Sequence, residues 1–407
     1  MEQELLQDGG ITFAQGFRAA GVEAGVKYAS RRDVALIVSD VPCAAAGVFT
    51  TNRVAAAPVA HDRAKLAASP RAQAIAVNTG CANACTGEQG LADAEAMAQA
   101  AARALGLDPA LVLVSSTGVI GTPLPTARVA AGLEKAAGAL GRGPQTDEEA
   151  SRAIMTTDTR PKRAAAVCEI DGRRVSLGGM CKGAGMIEPK MATMLAYVAT
   201  DAAVDAAWLR QALRAAADAS FNCVVVDGDE STNDSLVCLA NGLAGNRPLD
   251  GAHPQAKIFL EALTAVCRSL ARQIVLDGEG ASKFVAVRVS GARSEGDARL
   301  AARAIARSPL VKTSWFGRDP NWGRVLCAAG YSGAEVEARR ARIAYGGVCA
   351  YDRGTVADGE TLARLEAVMQ APEFEVSVDL GLGEGQAEIW TCDLTFDYVK
   401  INAEYTT

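Results

Sequence analysis

At 407 residues the chain is longer than one average domain, and two substantial cores are expected. Apolar residues make up 49% against 22% charged, and the formal net charge is −6. That describes a globular chain with no basic surplus to neutralise nucleic-acid phosphates or an anionic membrane, so neither is expected as a partner.

The acidic start MEQELLQDGG has no apolar core of signal-peptide length, and no run reaches the roughly 18 apolar residues of a membrane helix. A cytoplasmic protein is expected. Eleven cysteines, scattered from Cys43 to Cys392, fit reduced buried thiols better than a disulfide framework. Cys81 and Cys85 lie close together but lack a second pair, which makes a poor zinc signal. With two histidines, His61 and His253, both read as preceding or opening helices, a His-based triad or metal site has little to work with. An enzyme of this composition needs another base.

In chain order, residues 34–38 and 74–77 read as strands, and 88–105 as a helix closed by Gly106. Residues 111–114 form a strand feeding the loop SSTGVIG, 115–121. This alternation predicts an α/β layered architecture. Thr146 with Glu149 three residues later forms a capping box, so a helix should run from there to about Met155 and deliver the polar cluster 156–159. The β-rich stretch 163–177 is split by Asp171-Gly172, a hairpin turn signal. A glycine-rich loop from Gly178 then passes Pro189 and enters the apolar run 194–199, read as a buried strand with Thr193 at the join. Further on, 206–219 reads as a helix, 221–226 as a strand, 227–235 as a polar loop and Pro254 to Leu276 as a long helix. A strand at 284–289, a helix at 295–307 and another near 361–369 complete the reading, with the boundary between cores expected between 200 and 290. The basic pairs Arg31-Arg32 and Arg339-Arg340 read as solvated.

Five loops mix glycine with small hydroxyl and amide residues: NTGCANACTG (78–87), SSTGVIG, TTDT (156–159), KGAG (182–185) and DGDESTNDS (227–235). Each alone is ordinary turn chemistry. Neither G-x-x-x-x-G-K-[ST] nor a strand-linked G-x-G-x-x-G occurs, so nucleotide binding is not supported. Backbone N–H groups around Thr117 and Gly118 could face an oxyanion, an arrangement typically worth ~3 kcal/mol, or could simply end a strand. Lys182 reads as a surface lysine or, beside a catalytic amine, as a carboxylate contact; Glu279 reads equally as a solvated turn residue. Thr193 is ordinarily a β-branched residue opening a strand. If the Ala192–Thr193 bond were cut, it would carry nucleophile and α-amine base in one residue.

The motifs AVNTGCANACTG, SSTGVIG, TTDTRPK, KGAGMIEPKMATMLAY, DGDESTNDS, SPLVKTSWFGRDPNWGR and DLTFDYVKINAEYTT resemble, in order and over nearly the whole chain, the ornithine acetyltransferase family, also called glutamate N-acetyltransferase. The MATML and DPNWGR segments are the most specific. Ala184, where serine is common, and Glu230, where threonine is more frequent, are departures. The resemblance implies a sandwich-like α/β main domain, a smaller C-terminal α/β domain and N-terminal-nucleophile chemistry after self-cleavage. The expected domains are 1–280 and 281–407, the latter's tail returning to the active site. Cleavage between Ala192 and Thr193 would give chains 1–192 and 193–407, assembled as α2β2. By the same resemblance Thr193 is the nucleophile and Thr117 and Gly118 the oxyanion hole. Thr156, Lys182, Thr193, Glu279, Asn402 and Thr407 are then substrate contacts.

The implied reaction moves an acetyl group from N2-acetylornithine to glutamate through an acetyl-threonine. It needs no metal or organic cofactor, with acetyl-CoA as an alternative acetyl donor in bifunctional members. The competing readings are a self-processing aminopeptidase or amidase that uses water as acceptor, and an uncut metabolite-binding protein.

Overall fold

The computed structural model describes residues 4–6, 9–27, 29–188 and 194–404. Ala192, Thr193 and Thr407 lie outside them. The chain divides into two compact units: one holds residues up to Asn222 together with Asp229–Ile274, the other Cys223–Gly228 and residues from Val275 on.

In chain order the first strands are β1 (Glu4–Leu6), β2 (Phe17–Val22), β3 (Val34–Phe49), β4 (Arg71–Cys81), β5 (Val112–Val119), β6 (Lys162–Ile170), β7 (Arg173–Lys182), β8 (Leu195–Thr200), β9 (Val224–Val225) and β10 (Ser235–Ala240). All but β9 form the sheet of the first unit, ordered β1-β6-β7-β8-β10-β3-β4-β5 with β2 also on β3. Its helices are α1 (Ala57–Ala68), α2 (Gly87–Leu105), α3 (Thr126–Gly138), α4 (Pro144–Ala153), α5 (Ala206–Asp218) and α6 (Ala256–Leu276).

The two faces of the sheet follow from the period-two alternation of strands. Val34, Leu36 and Val38 of β3 pack in one cluster with Met97 and Ala101 of α2 and Val129 and Leu133 of α3. Ala35 and Ile37 point the other way, into a cluster with Ala150 and Ala153 of α4 and with Leu195, Tyr197 and Ala199 of β8. Every residue of β8 is buried, because β7 pairs with it antiparallel on one side and β10 parallel on the other. A strand enclosed in this way reads as a continuous apolar run.

Several expectations are corrected. Gly178 and Gly179 are not loop but strand, paired with Ala165 and Ala164 of β6. A Cβ on Gly178 would lie 2.0 Å from the Gly10 carbonyl oxygen, so glycine here serves close packing. Residues 115–119 continue β5, pairing with β4 from Val77↔Ser115 to Gly80↔Gly118. Helix α4 starts at Pro144, capped by Gly143, which puts Thr146 inside the helix. A proline suits the first turn because its missing N–H would have no helical partner there. His61 lies within α1. Arg31 and Arg32 are engaged: Arg31 donates to the Met155 and Thr156 carbonyls at 2.5 and 2.7 Å, and Arg32 pairs with Glu149 at 3.0 Å. The Asp171-Gly172 hairpin forms as expected, with φ of 52° and 69°.

The second unit contains β11 (Phe284–Ala292), β12 (Arg342–Tyr345), β13 (Val348–Asp352), β14 (Thr355–Val356), β15 (Glu373–Asp379) and β16 (Gly385–Cys392). With β9 they form a sheet ordered β14-β13-β12-β15-β11-β16-β9. Its helices are α7 (Glu295–Arg307), α8 (Pro309–Phe316), α9 (Trp322–Gly330), α10 (Gly359–Gln370) and α11 (Phe396–Glu404). Val285, Val287 and Val289 of β11 pack with Ile305 and Trp315 in its core. The strand expected at 221–226 is shortened to β9 by a 3-10 turn at Phe221–Cys223. None of the eleven cysteines, all of them among the described residues, is joined in a disulfide. Among the described residues, no helix is long and apolar enough to cross a membrane.

Candidate active site

The C-terminal ends of β4 and β5 lie side by side, in register through Thr79↔Thr117 and Gly80↔Gly118. Gly118 has φ +129°, and a Cβ there would sit 2.4 Å from the Gly80 carbonyl carbon, so only glycine lets the strands approach this closely. A buried amide network fixes the strand ends. Ser116 Oγ donates to Asn78 Oδ1 at 2.6 Å, and Asn233 Nδ2 donates to the carbonyls of Ala82 and Ser116 at 2.7 and 2.8 Å. Asn233, from the 227–235 loop, thereby ties that loop to both 78–87 and 115–121.

Lys182, the last residue of β7, is 4% exposed, and its Nζ donates to Thr117 Oγ1 at 3.4 Å. The surface-lysine reading of this residue is therefore wrong. Lys182 stands beside a second buried cation, Lys162, whose Nζ donates to Asp158 Oδ1 at 2.6 Å, with both side chains fully buried. The same Asp158 oxygen accepts the Gly183 N–H at 2.7 Å, and Oδ2 accepts the Thr156 N–H at 2.9 Å. Burial alone would raise the Asp158 pKa, but Lys162, Lys182 and the Gly183 N–H together hold it down at about 2. Thr156 is thus brought to the Lys182–Gly183 corner by its backbone. The five polar loops converge.

On the other side of β8, Asp234 is 1% exposed. Its Oδ1 accepts the Met194 N–H at 2.9 Å, while the Ser235 N–H donates to the Met194 carbonyl at 3.0 Å. Oδ2 is buried without a hydrogen-bond partner among the described residues. Burial pushes the Asp234 pKa well above the ordinary carboxyl range, against the opposing effects of the Met194 N–H and Lys182. The residue that follows Thr193 in sequence is therefore clamped by a buried carboxyl.

In the second unit, Glu279 and Asn402 are brought together: Asn402 Nδ2 donates to Glu279 Oε2 at 2.7 Å. Gly280 beside it accepts the Thr395 hydroxyl at 2.7 Å. Sequence reading did not single out Asp158, Lys162, Asn233 or Asp234, although each lies in or beside a quoted polar motif. The signal was a charged or amide residue inside a glycine and hydroxyl loop, where burial requires a partner. No cluster of His, Cys, Asp and Glu suited to a metal occurs among the described residues.

A profile described as the ArgJ family matches residues 18–407. The chain belongs to the ArgJ family. Among its relatives is the arginine biosynthesis bifunctional protein ArgJ of Symbiobacterium thermophilum, 53% identical over 405 residues, covering 98% of this chain and 99% of that protein. The protein of the same name from Geobacter sulfurreducens is 50% identical over 393 residues, covering 97% and 99%. A crystal structure of arginine biosynthesis bifunctional protein ArgJ from Bacillus halodurans is 42% identical with a TM-score of 0.50. It covers 51% of this chain and 98% of that one. The family resemblance carried by the sequence motifs thus extends across the ArgJ-family chain.

Proposed function

We propose that this chain transfers the acetyl group of N2-acetylornithine to glutamate through an acetyl ester on Thr193. The observation that carries the reading is the approach of buried Lys182 to Thr117 at 3.4 Å where the five loops meet. A cation for an α-carboxylate there adjoins a strand end whose backbone donors suit an oxyanion.

In this mechanism the Thr193 hydroxyl attacks the acetyl carbonyl while the Thr193 α-amine takes its proton. An α-amine with an ordinary pKa of about 7.7–8.0 is partly free base near neutral pH, so no histidine is required. Donors at Thr117 and Gly118 hold the oxyanion; ornithine leaves and the acetyl-threonine ester remains. The glutamate α-amine then attacks that ester and gives N-acetylglutamate. Lys182 takes the α-carboxylate common to both amino acids. Thr156, Glu279, Asn402 and Thr407 are the remaining proposed contacts, with Glu279 suited to the distal ammonium of ornithine.

The nucleophile becomes N-terminal by self-cleavage: the Thr193 hydroxyl attacks the Ala192 carbonyl, the acyl group shifts from nitrogen to oxygen, and water hydrolyses the ester. The Bacillus halodurans chain, matched nearly end to end by half of this one, supports a mature protein made of two pieces. We propose an α2β2 assembly of them, in the cytoplasm and without a cofactor. The word bifunctional in the relatives' names supports a second reaction, which we propose is acetylation of glutamate from acetyl-CoA.

The test is ornithine release from N2-acetylornithine with and without glutamate. Release that depends on glutamate and yields N-acetylglutamate supports transfer. Release that ignores glutamate supports the hydrolase, and no release with either removes the proposal.

A further inference from the structure

We propose that Asp158 is the positioning residue of the carboxylate pocket: it fixes the direction and the charge of Lys182, and so sets substrate affinity rather than the rate of acyl transfer. This inference rests on the reading of Lys182 as the contact for the α-carboxylate.

The geometry puts Asp158 one bond away from each part of that pocket. Its side chain is fully buried, and its two oxygens hold three donors, two from its own stretch of chain and one from just past β7. Oδ2 takes the Thr156 N–H at 2.9 Å from the end of the α4 segment. Oδ1 takes Lys162 Nζ at 2.6 Å at the start of β6, and the Gly183 N–H at 2.7 Å just past β7. Gly183 directly follows Lys182, so this last bond sets the angle at which the Lys182 side chain leaves the sheet. The far end of that side chain lies 3.4 Å from Thr117 Oγ1. A rotation of about 10° at Gly183 would displace an ammonium at the end of a four-carbon stem by about 1 Å, more than a hydrogen bond tolerates.

Charge gives a second argument. Lys182 is 4% exposed and Lys162 is fully buried, and a buried ammonium keeps its proton only where anions oppose desolvation. Both cations act on the Asp158 carboxylate, which accounts for its low pKa. Among the described residues, other titratable groups around the pair include Cys181 of β7, with Cys267 of α6 beyond it, and Asp234 before β10, with Glu230 next to it. Burial holds both thiols and Asp234 toward their neutral forms, so they do not replace the Asp158 charge. Arg31 reaches the same corner through the Thr156 carbonyl at 2.7 Å.

Asp158→Asn keeps the shape but removes the negative charge and one of the two acceptor oxygens. Lys182 then loses its proton more readily, and the carboxylate contact weakens. The experiment is steady-state transfer kinetics of the purified, full-length protein from about pH 6.5 to about pH 8.5, reading KM and kcat for N2-acetylornithine and glutamate. For Asp158→Asn, KM for both substrates is expected to rise roughly tenfold or more at the alkaline end, with kcat changed by about threefold at most. The ratio of variant to wild-type KM should shrink toward acid pH, because the Lys182 ammonium re-forms there.

Asp158→Asn/Lys162→Met removes the competing cation as well. It is expected to restore KM and its pH dependence toward wild type, and to keep the fold, since a buried ion pair exchanged as a whole costs little. A KM ratio that is unchanged, or raised equally at every pH, overturns the inference. So does a loss confined to kcat, or a double variant no better than the single one. Wild-type protein that transfers no acetyl group overturns the underlying reading of the site instead, which separates the two failures.

Discussion

Asp234 Oδ1 accepts the Met194 N–H at 2.9 Å, and this bond joins the loop before β10 to the residue that follows Thr193. Met194, which follows the proposed nucleophile in sequence, is therefore anchored by a buried carboxyl. Asp234→Ala removes that anchor and leaves a buried N–H without an acceptor, at a cost of about 1–3 kcal/mol. Both self-cleavage and acetyl transfer are expected to slow roughly tenfold or more. Asp234→Asn, which still offers an acceptor oxygen, should retain most of both. The fraction cleaved on a denaturing gel and kcat on the processed enzyme check this; equal behaviour of the two variants would contradict it.

The two buried aspartates should move stability in opposite directions with pH. Asp158 has a folded pKa held down at about 2 from an ordinary 3.8, so its contribution is present above the ordinary value and is lost as pH falls from 3.8 toward 2. Asp234 has a raised folded pKa; the folded state then binds the extra proton, and stability falls as pH rises above the ordinary carboxyl range. In urea titrations, Asp158→Asn should flatten the acid limb of the stability profile. Asp234→Asn should gain on wild type as pH rises from about 4 toward neutrality. The same sign of change in both variants would contradict the assignments.

Thr117 and Gly118 can be separated by their failure modes. Thr117→Ala is expected to lower kcat by about 10²-fold with a smaller change in KM, as for loss of a group serving the developing oxyanion. Gly118→Ala forces a side chain onto φ +129° and into the Gly80 backbone at 2.4 Å. It should destabilise the protein by at least ~1–3 kcal/mol as well as lose activity. Urea midpoints alongside kinetics distinguish the two, and a Gly118→Ala protein of wild-type stability would refute the close approach of β4 and β5.

For Glu279, whose carboxylate accepts from Asn402 at 2.7 Å, the substrate itself is the discriminator. Glu279→Gln should raise KM for N2-acetylornithine, which carries a distal ammonium, about tenfold, and KM for glutamate much less. Equal effects on both substrates would remove the proposed pairing.

Much of this fold is legible in the sequence where local physics decides alone. Helix α7 matches its expected bounds because Ser294 caps it, accepting from the Asp297 N–H, and an apolar stripe of Ala298, Ala301 and Ile305 faces the core. The Asp171-Gly172 hairpin was equally readable, since both residues must adopt positive φ. What the sequence hid depends on neighbours distant along the chain. Gly178 and Gly179 looked like loop residues until β6 and β8 flanked them and Gly10 came within reach. Ser115 to Val119 looked like a loop because its hydroxyls resemble turn chemistry, yet β4 extends alongside and makes it strand.

At the site the same distinction holds. The polar loops could be picked out by composition, but their convergence depends on contacts such as Asn233 to Ala82, 151 residues apart in sequence. Lys182 read as a surface residue because nothing near it in sequence announces Asp158 and Lys162 as buried neighbours.

The most direct test of the account is the intact mass of the purified protein before and after brief exposure to N2-acetylornithine. The account predicts two chains, residues 1–192 and 193–407, with one acetyl group added to the second and mapped to Thr193. A single uncut chain of 42.0 kDa, or an acetyl group on any other residue, would contradict it.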